Sequence, residues 1–421
     1  MLADWSIGQI MFAVSAGFQS TCLLVFSVCL QLIQLAAASS QSPQPTIDWE
    51  ALQAGFEAQG VTIPSCLDRS YYLKYGWSTY ANFTGGKRDI VLEVDWWDSA
   101  LIVGYTFASL VTQVMGYNVD LRVYDGGAIS GSRLHYGVSD IALELWGSDA
   151  STWYTQYVQL DSTVSNYGSV GYDGRVGLYF PSYLLDDYPH FDALDFWKGL
   201  THPASQRIFP RFGTAPATLN DTGDGPLCDG IQNGCMNGSY VPAWYREEDR
   251  DSFFEIWHED MTVTPYYYNR LIDGLKLNGT VRFLGNSVYT NMQQAYANRK
   301  PFLFYNWRPC VTTASYNLTR MIFPDDQTGQ FQKFQKNPKH QSVNVDLPVE
   351  NMFKASSSKF NADFPELGLF LSKFSFPEET MIHMLAVVGV NSYNFNDSQY
   401  TNLVCSWLKE NEVMFVLLTR P

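Results

Sequence analysis

The chain has 421 residues, with 27 Lys or Arg against 42 Asp or Glu, and a formal net charge of −15. That balance excludes nucleic acid and anionic membrane surfaces as partners, because both are held by basic patches. The length suffices for a sizeable core divided between two lobes of ordinary domain size.

The N-terminus carries no Lys or Arg before Arg69. Residues 22–35, CLLVFSVCLQLIQL, are apolar, and the small residues AAASS follow at 36–40. Residues 1–40 are therefore expected to be a signal peptide cleaved just after Ala38, or a retained anchor helix, since apolar character reaches back to about Ile10. Residues 41–86 are a linker and preamble: a polar, Pro-containing spacer over 38–47, then a Tyr-rich stretch holding Cys66. Sequons at Asn82, Asn220, Asn237, Asn278, Asn317 and Asn396 behind this leader predict a glycosylated protein of the eukaryotic secretory route, secreted or on the extracellular face of the plasma membrane. In that oxidising compartment Cys228 and Cys235 are the natural disulfide, because CDGIQNGC is a short Gly-rich loop. Its closure is worth roughly 2.5 kcal/mol in the loop-entropy account. The pairing of Cys66, Cys310 and Cys405 stays open.

Regular patterning begins at Lys87. DIVLEVD (89–95) reads as a buried strand. Apolar residues at Ala100, Val103, Phe107, Val111, Val114 and Met115 then follow helical spacing, with Gly116 as a stop. NVDLRVY (118–124) alternates, and DIALELW (140–146) is a third strand. Strand, helix, strand, connection and strand predict a mainly parallel α/β sheet. Next, GRVGLYFPSYLL (174–185) is a strand broken at Pro181, and FDALDFWKGL (191–200) a short helix. A long Gly/Pro/Asn/Asp loop over 209–240 and a partly helical stretch over 247–277 follow. Helices are expected at 378–388 after Pro377 and near 407–411, capped by Asn396 or Asp397. No internal repeat is evident.

Catalytic signatures are missing. GxSxG is absent, WHEDMT (257–262) has Thr262 where HExxH needs His, and GYDGRVG (171–177) is neither GxGxxG nor a P-loop. No His pairs with another His or Cys at metal-ligand spacing, so neither metal nor cofactor is expected. The acid pairs Glu93/Asp95 and Asp186/Asp187 are ordinary solvated or capping residues. A secreted hydrolase acting through Glu93 or Asp95 is the remote alternative to a non-enzymatic protein.

One stretch, RKPFLFYNWRPC (299–310), points to function. At period two, Leu303, Tyr305 and Trp307 share one face and Phe302 and Phe304 the other, so this strand is expected to be buried on both sides and to stop at Pro309. Ligands of open parallel sheets bind at the carboxyl ends of strands, where Trp307 falls. Trp146 ends DIALELW, and Trp96 and Trp97 end DIVLEVD, in the same way.

These pieces, in this order, resemble the substrate-binding proteins of ABC importers for glycine betaine, proline betaine and choline. The resemblance covers roughly residues 87–410 and rests on VDWWDSALIVGYTFASLVTQVMGYNVDL, SDIALELW, GRVGLYFPSYL, TGDGPLCDGIQNGC, KPFLFYNWRP and the near-terminal WLKEN. It implies a two-lobed periplasmic-binding-protein-like (type II) α/β fold with a ligand cleft between the lobes. Lobe one is placed at 87–172 with 303–421, and lobe two at 173–302. It further implies a small quaternary ammonium or zwitterionic ligand held in an aromatic cage, with a membrane transporter or anchor as partner. Trp146 and Trp307 match two cage walls; Phe376, Trp97 and Trp96 are candidates for a third, since Asn233 stands where one branch places a Trp. Backbone N–H groups of Gly234 and Cys235 match a carboxylate clamp, whereas Ala150 and Cys310 stand where the family often adds a His. Arg308 is a candidate carboxylate partner or a rim salt bridge. The same fold also suits a cell-surface sensor or ligand scavenger without an importer.

Overall fold

The computed structural model describes residues 60–61, 63, 65–67, 88–124, 127–191, 193–214, 234–236, 238–259, 263–389 and 397–411. These all belong to one compact unit, Ala58–Pro421. The leader, Asn82, Asn220, Cys228, Asn233, Asn237 and Asn396 lie outside the described residues.

Two mixed sheets carry the α/β fold. The first is built from β1 (Gly60–Val61), β2 (Ile90–Asp95), β3 (Val119–Tyr124), β4 (Ile141–Leu145), β5 (Val164–Gly174) and β13 (Glu350–Ser357), in the order β1-β3-β2-β4-β13-β5. Within it β2 pairs parallel with β3 and β4, and β13 runs antiparallel to β4 and β5. The second sheet holds β6 (Gly177–Pro181), β7 (Cys235–Met236), β8 (Ser239–Tyr240), β9 (Phe254–His258), β10 (Gly279–Phe283), β11 (Phe304–Asn306) and β12 (Leu318–Arg320). Its order is β12-β6-β11-β9-β10-β8-β7, with β9 parallel to β10 and β11, and β6 antiparallel to β11 and β12. The centres match: β3-β2-β4-β13 and β10-β9-β11-β6 are each the second, first and third parallel strands followed by an antiparallel one. The lobes thus repeat an architecture that no sequence repeat announces.

The central parallel strands are buried nearly throughout, their mostly apolar runs interrupted by buried acids such as Glu93, Glu144 and Glu255. In β9 every residue is buried, as in β4 and β11. Helix Asp98–Gln113 packs on β2, β3 and β4 with most of its length buried. Gly104 permits that approach, since a Cβ there would lie 2.3 Å from Cγ1 of Val94. The C-terminal helix Asp397–Glu410 covers the same helix, and a Cys66–Cys405 disulfide ties the preamble to it. Cys310 is a buried free thiol capping helix Val311–Ser315.

Two expectations shift. The boundary at 303 is displaced: β11 and β12 pair with β6 and so belong to the second lobe, and the chain regains the first sheet only at β13. The antiparallel strand β6 needs a neighbour on each side, and the segment after residue 302 supplies both. The stretch 247–277, read as partly helical, also contains β9, while its helix is confined to Tyr267–Leu275 and a 3₁₀ turn at Glu247–Ser252.

Candidate ligand-binding site

A cavity of about 770 Å³ opens where the carboxyl ends of the two sheets meet. Each of the four strand-end tryptophans lines it: Trp96, Trp97 and Trp146 from the first lobe and Trp307 from the second. Local backbone explains their placement. Trp97 and Trp146 are extended N-cap residues, with φ/ψ of −79°/156° and −78°/135°, standing where a strand turns into a helix. Their carbonyls accept the first helical N–H bonds, from Leu101 at 3.1 Å and Ala150 at 3.0 Å. Trp307 leaves β11 just before the chain is tied back by reciprocal Arg308–Arg175 backbone bonds of 3.0 and 2.8 Å. Tyr305 stands beside it, ring centroids 6.0 Å apart, and also lines the cavity.

The rings are held unequally. Trp146 is 8 % exposed, and Gly174 makes room for it: a Cβ there would lie 2.4 Å from Cζ3 of the indole. Trp97 donates its indole N–H to Oε1 of buried Glu144 at 2.6 Å. The same carboxylate accepts from Ser99 Oγ at 2.9 Å and from the Tyr172 hydroxyl. Burial pushes the Glu144 pKa up, and the Tyr172, Trp97, Ser99 and Trp146 donors pull it back. Glu144 is therefore a positioning residue behind the first lobe's indoles. Trp307 rests edge-on against Tyr289 at 6.5 Å, and Trp96 is 46 % exposed at the cavity mouth.

Carboxylates share the wall. Asp149, Glu259 and Glu350 line the cavity, and among the described lining residues none is Lys, Arg or His. Burial lifts the Asp149 pKa to about 6. Glu350 accepts the Ser148 N–H at 2.8 Å; burial raises its pKa most, and Asp149 adds to that. Tyr305, fully buried beside Glu259 and Asp149, is pushed well above the usual phenol range, chiefly by burial. These acids escaped sequence reasoning. Asp149, three residues after Trp146 in a helical first turn, was the one with a local signal.

Other expected site residues fall elsewhere. Phe376 is 1 % exposed, packs on Trp407 at 5.0 Å and donates its N–H to the Val170 carbonyl, so it is core rather than cavity wall. Gly234 and Cys235 do not line the cavity either, because β7 is the outermost strand of its sheet, with β8, β10 and β9 between it and β11. Cys235 is disulfide-bonded, but the expected partner Cys228 lies outside the described residues, as does Asn233. Arg308 is not among the described lining residues and pairs with Glu378 at 3.0 Å. Glu93 is engaged by Arg133 through bonds of 2.9 and 2.6 Å, and neither Glu93 nor Asp95 reaches the cavity. Of the sequon asparagines described, Asn317 is exposed, whereas Asn278 is half-buried beneath Trp244.

Residues 265–397 match the family model described as the substrate binding domain of the ABC-type glycine betaine transport system. The resemblance read from the motifs is met over that segment, which includes Tyr305, Trp307 and Glu350 but not the first lobe's tryptophans. No curated protein sequence matches the chain. Among solved structures, the chain is similar to lactococcal OpuAC in its closed-liganded conformation complexed with glycine betaine, at 12 % identity and TM-score 0.47, covering 79 % of this chain and 100 % of that one. It is similar to the glycine betaine/L-proline-binding protein ProX from Borrelia burgdorferi, at 10 % identity and TM-score 0.47, covering 79 % and 97 %. It is also similar to an ABC-transporter choline binding protein in complex with choline, at 12 % identity and TM-score 0.48, covering 78 % and 91 %.

Proposed function

We propose that this chain is an extracellular solute-binding protein that captures a small quaternary ammonium ligand, of the glycine betaine or choline type, between two lobes. Trp146 and Trp307 are the principal walls, with Trp97 and Trp96 beside them. The observation that carries this is four indoles from three separate strand ends around one cavity. A quaternary ammonium has no N–H to donate, so it is recognised through the negative faces of rings, each worth about 0.5–2 kcal/mol when desolvated. Three rings supply roughly 2–6 kcal/mol, and micromolar affinity needs about 8. The lining carboxylates supply the rest by Coulombic attraction, about 4 kcal/mol for a pair 4 Å apart at an effective dielectric of 20. Binding rather than catalysis suits the acids too, since Glu93 is tied up by Arg133.

Calorimetric titration with choline, glycine betaine, proline and sugars tests this. Binding of a methylated ammonium, strongly weakened by Trp307→Ala, is the expected result. Indifference of the folded protein to every methylated ligand would remove the proposal. An importer is the family's partner; a surface sensor or scavenger is the second reading, favoured by the leader-like N-terminus and the sequons, of which Asn317 is exposed.

A further inference from the structure

We propose that the cleft selects by net charge, accepting a small organic cation and turning away the zwitterion that carries the same headgroup, with Asp149 the side chain that sets the preference. The inference deepens the quaternary-ammonium reading and rests on it. A zwitterion's carboxylate is held best by a charged donor, and none of the described lining residues is Lys, Arg or His; Asn286, Gln335 and Thr264 offer only neutral donors. The Ser148 N–H is given to Glu350, and the Trp97 indole N–H to Glu144. Arg308 is paired with Glu378 and neither lines the cavity, and the amides at Gly234 and Cys235 sit at the far edge of their sheet. The wall offers negative charge instead.

Asp149 sits three residues beyond Trp146 and makes no side-chain hydrogen bond or ion pair among the described residues. A Cβ on Gly127 would lie 3.4 Å from Oδ2 of both Asp149 and Asp95, so a second, buried carboxylate backs the first. Asp95 is 5 % exposed, its Oδ1 has no hydrogen-bond partner, and burial pushes its pKa well above the usual carboxylate range, so the charge of this wall rests on Asp149 and Glu350. Glu350 adds a third acid on the same side, its Oε2 turned toward Gly147. An anionic group placed beside this wall meets like charges in a half-dry site, where their repulsion is weakly screened. A positive headgroup there meets both the rings and the acids.

Choline and glycine betaine share the trimethylammonium group and differ in ending in a hydroxyl or a carboxylate, so the pair isolates the charge. Titrated calorimetrically into the full chain at pH 7.5, choline is expected to bind at least about tenfold more tightly, a gap of about 1.4 kcal/mol. Asp149→Asn should weaken choline and leave glycine betaine unchanged or improved, drawing the ratio toward one. Glu350→Gln should move it the same way by less, and carries the test if the first variant fails to fold. Equal or tighter binding of glycine betaine to the unaltered protein, with both ligands strongly weakened in Trp307→Ala, overturns the charge selection while the aromatic reading stands. Equal weakening of both ligands in Asp149→Asn would mark that residue as structural and overturn its role. Binding of neither ligand removes the aromatic reading and this selection with it.

Discussion

The two lobes are built to one strand order but furnish the cleft differently. The third parallel strand of each ends in a tryptophan, Trp146 after β4 and Trp307 after β11. In the first lobe the indoles are backed by acid: Glu144 holds Trp97, and Asp149 and Glu350 flank the rings. In the second lobe Trp307 is backed by rings, Tyr305 and Tyr289, with His258 stacked on Tyr305 at 4.4 Å. One scaffold thus places a residue at a given strand end, while the neighbours decide whether that residue is electrostatically tuned or merely packed. The second-lobe ring offers a face, and of the three lining acids the first lobe supplies Asp149 and Glu350 and the second lobe Glu259.

That division makes measurable demands. Trp307→Ala should lower affinity for a quaternary ammonium roughly a hundredfold, as truncation of a central aromatic contact commonly does. Trp146→Ala should do the same and also cost stability of about 3–5 kcal/mol, because that indole is far more deeply buried. Calorimetry with a parallel denaturation curve separates the two. If Trp307→Ala proved the less stable variant, the contrast between the lobes would be wrong.

A pH series addresses the acidic side. Asp149, with its pKa lifted to about 6, faces Asp95, Glu350 and Tyr305, and Arg133 bears on Asp95. A cation favours the charged carboxylate, so choline affinity should fall as pH drops through about 6 and level off above it; the midpoint belongs to the coupled acids as a group. Asp149→Asn should flatten the profile. For the empty protein the sign is opposite. Its folded pKa lies above the unfolded value of 3.8, so the native state holds the extra proton and stability declines as pH rises from 3.8 to about 6. Asp149→Asn should therefore raise the melting temperature at pH 8 and not at pH 3. A melting temperature unchanged at pH 8 would mean the carboxylate is well solvated.

Gly174→Ala should have a smaller effect on binding. Its Cβ must displace the Trp146 ring, at a cost of about 1–3 kcal/mol in stability and a few-fold in affinity. Smallest of all, Phe376→Leu should reduce stability by about 1–2 kcal/mol and leave ligand affinity untouched, since that ring lies in the first lobe's core. A measurable loss of affinity in Phe376→Leu would return that ring to the site.

Local pattern was enough for the strands β2, β3 and β4, for helix Asp98–Gln113, for the two closing helices and for the tryptophans at strand ends. All of these are written in periodicity and stop signals within a few residues of each other, and burial rewards that periodicity directly. It was not enough for β5, whose Gly-rich VSNYGSVGYDG carries no regular alternation yet pairs along β13, nor for the true return point of the chain. Nor could it say that Phe376, Gly234 and Cys235 lie away from the cleft while Asp149, Glu259 and Glu350 lie on it. A cleft exists only where the ends of two separately formed sheets face one another. Its contacts, such as Ser148 to Glu350 across 202 positions, leave no trace in any local window of residues.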